Sequence, residues 1–133
     1  MGIEIVPGDV HSVEEAVAAI ESLPEDINAI YRIPSPTLDS RNNELSQAAI
    51  KRGLPMGSGL PLDEAVLLTL STNLFDVGKQ TARMADQVFL GTKPGDLPVE
   101  SGEQTLVINL KTADAIGLHI PDSILQQADT VIR

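Results

Sequence analysis

Residues 27–56 read INAIYRIPSPTLDSRNNELSQAAIKRGLPM, and the order of apolar and polar residues in this stretch decides the fold class. Ile27–Ile33 has the pattern of a strand and closes at Pro34–Pro36, because proline cannot continue a strand ladder. A helix pattern follows and ends at Gly53, after which Leu54–Met56 begins a short strand. The predicted helix has Asp39 or Ser40 as its cap and Leu45, Ala48 and Ala49 on its inward face. Strand, helix and strand in this order predict a parallel βαβ unit.

The flanking sequence continues this alternation in both directions. On the N-terminal side, Ile3–Val6 has the pattern of a strand, and Ser12–Glu15 has that of a capping box at the start of a helix. On the C-terminal side, we predict strands at Ala65–Leu70 and Thr105–Leu110, a long helix at 74–90, and short helices at Thr112–Ile116 and Pro121–Ile132. We therefore expect one α/β domain over residues 1–133, with a mostly parallel sheet of about five strands and helices on both faces.

The composition limits the function. The 133 residues are 42% hydrophobic, which is enough for a packed core, and their formal net charge is −10. So acidic a chain is not expected to bind nucleic acid or an anionic membrane, because both are negatively charged. The chain has no cysteine, which excludes disulfides, thiolate metal sites and cysteine nucleophiles. Residues 1–6 lack the basic and apolar regions of a signal peptide.

The sequence carries no recognisable catalytic or cofactor motif. Gly57–Gly59 lacks the lysine of a phosphate-binding loop and the third glycine of a dinucleotide fingerprint, so we interpret it as a turn. His11 and His119 are far apart and have no second ligand at a metal-site spacing. The adjacent carboxylates Glu14–Glu15 and Asp63–Glu64 do not face each other on a helix, and we expect both pairs to be solvated. We therefore predict a protein that is not an enzyme and needs neither a cofactor nor a metal.

Short polar residues follow three of the predicted strands, at Pro34–Thr37, Gly57–Gly59 and Ser71–Asn73. In open α/β sheets, ligands bind beyond the carboxyl ends of the strands. Hydroxyl and amide side chains beside bare glycine backbone suit a small anionic or zwitterionic group. The alternative is that these residues are ordinary caps and turns.

Four stretches of the C-terminal half have residue patterns specific enough to compare with known families. Gly91–Glu100 reads GTKPGDLPVE, Leu106–Ala113 reads LVINLKTA, Gly117–Pro121 reads GLHIP, and Ala128–Arg133 reads ADTVIR. In order and spacing, these stretches resemble the second half of a family of bacterial ABC-transporter substrate-binding proteins. The start of the long helix at Asn73 is also similar, and the resemblance extends from Ile27 to the end of the chain.

The resemblance implies the second lobe of a type I periplasmic-binding-protein fold, in which two α/β lobes close on a small ligand. It implies a non-catalytic solute-binding component of an ABC importer, which works with a permease and is periplasmic or otherwise extracytoplasmic. Family members also have a leader and a first lobe, so we expect this chain to be a second-lobe piece. Residues 73–104 are then expected to form a crossover helix and hinge.

The resemblance also bears on the ligand site. Family members that bind aromatic amino acids have Asp-Asn-Thr after the second strand of this lobe, where this chain has Ser35-Pro36-Thr37. Only the threonine is retained, which puts an amino-acid ligand in doubt. The candidate ligand-binding residues are Ser35, Thr37, Ser58 and Asn73.

Two questions stay open at this point. The same lobe fold serves ligand-sensing domains of signalling and transcription proteins, and a small enzyme of flavodoxin-like architecture is a third option. The helix at 74–90 has an apolar stripe that would lack a first lobe to pack on. We expect this stripe to form a homodimer interface, and the alternative is that the helix folds back on its own lobe.

Overall fold

Five strands form one sheet, in which their spatial order is the same as their order in the chain. The computed structural model describes residues 2–60 and 65–133. The strands are β1 (Ile30–Arg32), β2 (Met56–Ser58), β3 (Leu68–Thr72), β4 (Gln104–Asn109) and β5 (Thr130–Ile132). β1, β2 and β3 are parallel, β4 is antiparallel to β3, and β5 is parallel to β4. The predicted α/β class with a mostly parallel, five-stranded sheet is therefore confirmed.

Helices occupy most of the connections between these strands. Within the described residues they are α1 (Val13–Glu21), α2 (Pro36–Asp39), α3 (Asn42–Lys51), α4 (Leu74–Phe89), α5 (Leu110–Ala115) and α6 (Asp122–Leu125), with a 3-10 turn at Pro94–Asp96. In the described part of the chain, no helix is both long enough and apolar enough to cross a membrane.

Local signals in the sequence set several helix ends. The Ser12 hydroxyl accepts a hydrogen bond from the Glu15 backbone N–H at 3.1 Å, as the capping box predicts. Asn73 and Asn109 cap the starts of α4 and α5 in the same way. After α4, Gly91 has a φ of 103°, a backbone conformation that favours glycine and ends the helix.

The main core lies between α1, α3 and one face of the sheet. Both helices bury the residues that their periodicity predicts, and β2 adds Met56. The core residues are Val13, Ala16, Ile20, Leu38, Leu45, Ala48, Ala49, Met56 and Val66, with Val10, Val17 and Ile30 packed against them. α1 and α3 are therefore fixed to each other and to the N-terminal strands.

The two faces of the sheet are covered to different extents. The strand register places Ile30 and Met56 on the face that packs against α1 and α3. On the opposite face, Tyr31 is 66% exposed and Leu70 is 46% exposed, whereas Ile108 of β4 is buried. The opposite face is therefore covered at Ile108 of β4 but open at Tyr31 of β1 and Leu70 of β3.

The predicted strand at Ile3–Val6 is wrong. These residues form no strand, and Ile3 is 90% exposed. A strand is stable only when a neighbour pairs with its backbone groups. In the described part of the chain Ile3–Val6 pairs with no strand, and β1 is left as an edge strand that pairs with β2 alone.

The predicted helix at Pro121–Ile132 is also wrong in its second half. α6 ends at Leu125, and Thr130–Ile132 forms β5. The β-branched run Thr-Val-Ile pairs with Val107–Asn109, because such side chains pack better on a pleated surface than on a helix. The described sheet still has five strands, because β5 is a strand that was not predicted and Ile3–Val6 is a predicted strand that does not form.

Candidate functional site

The carboxyl ends of the three parallel strands lie along one edge of the sheet. The register pairs Arg32 of β1 with Ser58 of β2, and Ser58 with Thr69 of β3. The residues that leave this edge are 33–37 after β1, 59–60 after β2 and Asn73 after β3. We call this region the carboxyl edge. It is where open α/β sheets bind ligands.

A polar network joins β1, β2 and α2 at the carboxyl edge. Arg32 Nη1 lies 2.5 Å from Asp39 Oδ1, and Arg32 Nη2 donates to Ser58 Oγ at 3.3 Å. Ser58 is fully buried, and its hydroxyl also accepts from the Leu60 backbone N–H at 3.2 Å. The Ser35 backbone N–H donates to Asp39 Oδ1 at 3.4 Å. The network therefore fixes the start of the β1–α3 connection against β2.

Asn73 lies at the end of β3 and begins α4. Its Oδ1 accepts from the backbone N–H groups of Phe75 at 3.1 Å and Asp76 at 3.3 Å. Because Oδ1 is used in capping, the Nδ2 amide is the group that Asn73 can offer to a ligand. An open groove of about 340 Å³ lies beside it, lined by Ser71, Thr72, Asn73, Leu74, Phe75, Thr105 and Val107.

The four predicted site residues fall into separate places along the carboxyl edge. Ser35 and Ser58 are joined through Arg32 and Asp39, as the distances above describe. Thr37 is exposed on α2. Ser58 pairs with Thr69 of β3, and Asn73 lies four residues further along the chain, about 13 Å from Thr69. The acidic pair 63–64 lies outside the described residues. Among the residues that are described, no group of three potential metal ligands occurs.

Sequence reasoning missed Arg32 and Asp39. A basic residue within the apolar run Ile30–Ile33 was the available signal, because a charge inside a strand needs a partner. The partner could not be read from the sequence. Asp39 was assigned to capping, whereas α3 begins after Arg41 and Asp39 is the last residue of the separate helix α2.

The segment between α4 and β4 is fastened to α4. Arg83 of α4 forms an ion pair with Glu100, and the Asn73 backbone N–H donates to the Glu103 carbonyl at 3.1 Å. At Gly102, an added Cβ would lie 2.4 Å from Thr72 Cγ2, so the chain approaches β3 more closely than any other residue type allows. These contacts hold the returning chain against the start of α4.

An ion-pair cluster connects α1 to α3. Arg41 Nη2 lies 2.6 Å from Glu44 Oε2, and Arg41 Nη1 contacts Glu14 of α1. The hydrogen bond from Arg41 holds the pKa of the Glu14 carboxyl below its ordinary value, and the same guanidinium lowers the pKa of Glu44. Hydrogen bonds to Glu44 and then Glu14 raise the pKa of Arg41. The cluster therefore joins the start of α3 to the first turn of α1.

A mostly parallel α/β sheet with polar groups at its carboxyl edge is the architecture of solute-binding lobes, and the comparison with known families agrees. The chain belongs to the ABC transporter substrate binding protein family, whose model matches residues 1–132. No match was found among functionally curated proteins.

Three solved structures are similar to the chain. The ABC domain in complex with L-Trp from Streptococcus pneumonia is 28% identical with a TM-score of 0.72, and the match covers 92% of this chain and 44% of that one. CD0873 from Clostridium difficile, a ligand-free, open substrate binding protein with adhesive properties, is 21% identical with a TM-score of 0.77, covering 98% and 45%. A conserved domain protein from Vibrio cholerae O1 biovar eltor is 24% identical with a TM-score of 0.70, covering 89% and 40%.

The chain thus spans less than half the length of each of these three structures. It shares with them a substrate-binding protein fold.

Proposed function

We propose that this chain forms the second lobe of the solute-binding component of an ABC importer. It binds a small solute, of amino-acid-like size and polarity, in a cleft between two lobes and performs no catalysis. The observation that carries the proposal is the placement of short polar side chains along the carboxyl edge of three parallel strands, in a chain of this family. The L-Trp complex of one structural neighbour supports a ligand with an amino acid's chemistry.

In this proposal the ligand meets Ser35, Thr37 and Asn73, and the fully buried Ser58 belongs to the site through its hydrogen bond with Arg32. Ser35 and Thr37 belong to the turn and short helix that follow β1, and the Asn73 amide opens into the groove beside α4. Hydroxyl and amide groups donate and accept hydrogen bonds without adding charge, which suits a zwitterionic solute. One lobe supplies only part of a cleft, so the chain alone binds weakly.

The proposed partners are an ABC permease and a second copy of this chain. The protein would meet the permease on the periplasmic or otherwise extracytoplasmic side of the membrane. In the complete protein, residues 73–104 serve as the crossover helix and hinge to the other lobe. α4 buries none of its residues, and Leu74, Phe75 and Phe89 are all exposed. In an antiparallel pair of α4 helices about a two-fold axis, Leu74 would face Phe89 and Gly78 would face Ala85, which permits close packing.

A transport experiment tests the importer. Deleting the gene should abolish high-affinity uptake of the solute that the protein binds, and the neighbouring genes should encode a permease and an ATPase. Complementation with Ser35→Ala or Asn73→Ala should restore uptake only in part, because each change removes a ligand contact. Ser12→Ala, which removes the cap of α1 far along the chain from the carboxyl edge, is the control and should restore uptake fully. Unchanged uptake after deletion, with a neighbouring kinase or repressor gene, would indicate a sensor instead.

A further inference from the structure

Arg32 is an unusual residue for its position. Among the described residues it is the only charged side chain in the buried set, with 5% of its surface exposed. A buried ion pair seldom stabilises a fold more than apolar residues of the same volume would. A buried arginine at the carboxyl end of a strand, where this fold class binds ligands, therefore indicates a requirement other than stability.

Two partners of Arg32 within the described residues, Ser58 and Asp39, differ in how firmly they are held. Ser58 belongs to β2 and is fully buried, so its hydroxyl is fixed beside Nη2. Asp39 is 26% exposed and ends the four-residue helix α2. Its Oδ1 lies 2.5 Å from Arg32 Nη1, and its side chain is more exposed than that of Ser58. Asp39 is thus the partner that another carboxylate can replace.

We propose that Arg32 binds the carboxylate of the solute, and that Asp39 competes with this carboxylate for the guanidinium. The proposal rests on the function proposed above and narrows its ligand to compounds with a carboxylate. Binding exchanges one ion pair for another at the guanidinium, and Asp39 turns to solvent. The Ser58 hydroxyl keeps the Arg32 guanidinium in place during the exchange. The planar guanidinium can donate two parallel hydrogen bonds to a carboxylate.

Charge supports this assignment. The chain has a formal net charge of −10, so a solute carboxylate is repelled unless a cation meets it locally. The four proposed ligand residues, Ser35, Thr37, Ser58 and Asn73, are neutral. Arg32 supplies the missing positive charge within the same network as Ser35 and Ser58.

The test compares the binding of L-tryptophan with that of tryptamine, which lacks the carboxylate. Binding is measured from the amide chemical shifts of the isotope-labelled 133-residue chain. Asp39→Asn removes the internal competitor while keeping the size of the side chain. We expect it to tighten L-tryptophan binding by about tenfold, because more of the protein is then competent to bind. Tryptamine affinity should not change. Arg32→Gln should weaken L-tryptophan binding by about tenfold or more.

Circular dichroism shows whether each variant is folded. Two further measurements test the proposal if Asp39→Asn or Arg32→Gln does not fold. Arg32→Lys keeps the charge but loses the fork, and should weaken L-tryptophan binding as Arg32→Gln does. In the unmodified chain, the side-chain carboxyl ¹³C resonance of Asp39 should move when L-tryptophan is added and stay in place with tryptamine.

The outcomes separate this inference from the function on which it rests. If Asp39→Asn weakens L-tryptophan binding, or if both probes shift the carboxyl-edge amides equally, Arg32 does not select carboxylates, although the binding function stands. If neither probe, nor any other amino acid or monosaccharide at millimolar concentration, shifts these amides, the inference and the proposed binding site both fail.

Discussion

Gly102 shows how a single residue positions the chain around the proposed site. A Cβ at this position would lie 2.4 Å from Thr72 Cγ2 and 2.7 Å from Val77 Cγ2, distances that no packed side chain tolerates. Thr72 ends β3 and Val77 lies in the first part of α4. The absence of a side chain at Gly102 therefore allows the returning chain to lie against the end of β3, next to the Asn73 groove.

Replacing Gly102 with alanine should destabilise the protein by about 1–3 kcal/mol, because the added methyl group forces Thr72 or the returning chain to move. Urea denaturation followed by circular dichroism measures this change. Gly95→Ala is the matched control, because a Cβ there meets nothing within 4 Å, and it should leave the stability nearly unchanged. Equal effects of the two substitutions would contradict the close approach at Gly102.

Some features at the residue scale could be predicted from the sequence and others could not. That Ser58 and Asn73 lie at the carboxyl ends of strands could be predicted, because the end of a strand pattern is readable from local sequence. The contact between Arg32 and Asp39 was not found, because it depends on where α2 ends and α3 begins. The sequence predicts one helix capped by Asp39 or Ser40, whereas Pro36 begins a separate short helix of which Asp39 is the last residue.

The pair of helices α1 and α3 depends on an exposed ion-pair cluster as well as on the apolar core. Arg41 at the start of α3 contacts Glu14 of α1 and Glu44 of its own helix. The pKa values of both carboxyls are lowered from 4.5 in the folded protein. A lowered pKa in the folded state means that the pair stabilises the fold above about pH 4.5 and that this stabilisation is lost as pH falls through the lowered values.

Arg41→Gln should therefore reduce stability near neutral pH, and the difference between the two proteins should shrink as falling pH protonates the two carboxyls. Because all three groups are exposed, 1 M salt should also shrink the difference. Thermal unfolding at pH 7 and pH 3, with and without salt, measures both effects. A difference between the two proteins that is the same at pH 7 and pH 3 would show that the cluster does not act through charge.

α4 is the element whose role the sequence predicts least completely. Its periodicity predicts an apolar face, and the structure has that helix with no residue buried. Which molecule covers the face cannot be read from either periodicity or helix propensity, because those describe the helix alone. The homodimer therefore stays a prediction.

Phe89→Asp and Val88→Asp should each convert a dimer to a monomer, because a carboxylate in an apolar interface has no partner. Gln87→Asp, on the polar side of the same turn, is the control and should leave the dimer intact. Light scattering at high micromolar concentration measures the mass directly. A monomeric starting protein, or a dimer that survives both apolar substitutions, would rule out this interface.

The chain spans less than half the length of each of the three solved structures described above. β1 is an edge strand in the described residues, and the face carrying Tyr31 and Leu70 is open. The predicted strand at Ile3–Val6 is wrong because these residues pair with no strand of the described sheet, although β1 has only β2 as a neighbour there. Sequence patterns detect strand propensity but not whether a partner is present.

The central claim is that the carboxyl edge binds a small solute as one half of a cleft. Amide chemical-shift mapping of the chain titrated with the L-amino acids tests it most directly. We predict saturable shifts centred on Ser35, Ser58 and Asn73, with dissociation constants weaker than micromolar because the other half of the cleft is missing. Saturable binding that maps elsewhere, such as the groove between α5 and α6 near His119, or micromolar or tighter binding by this chain alone, would contradict the account.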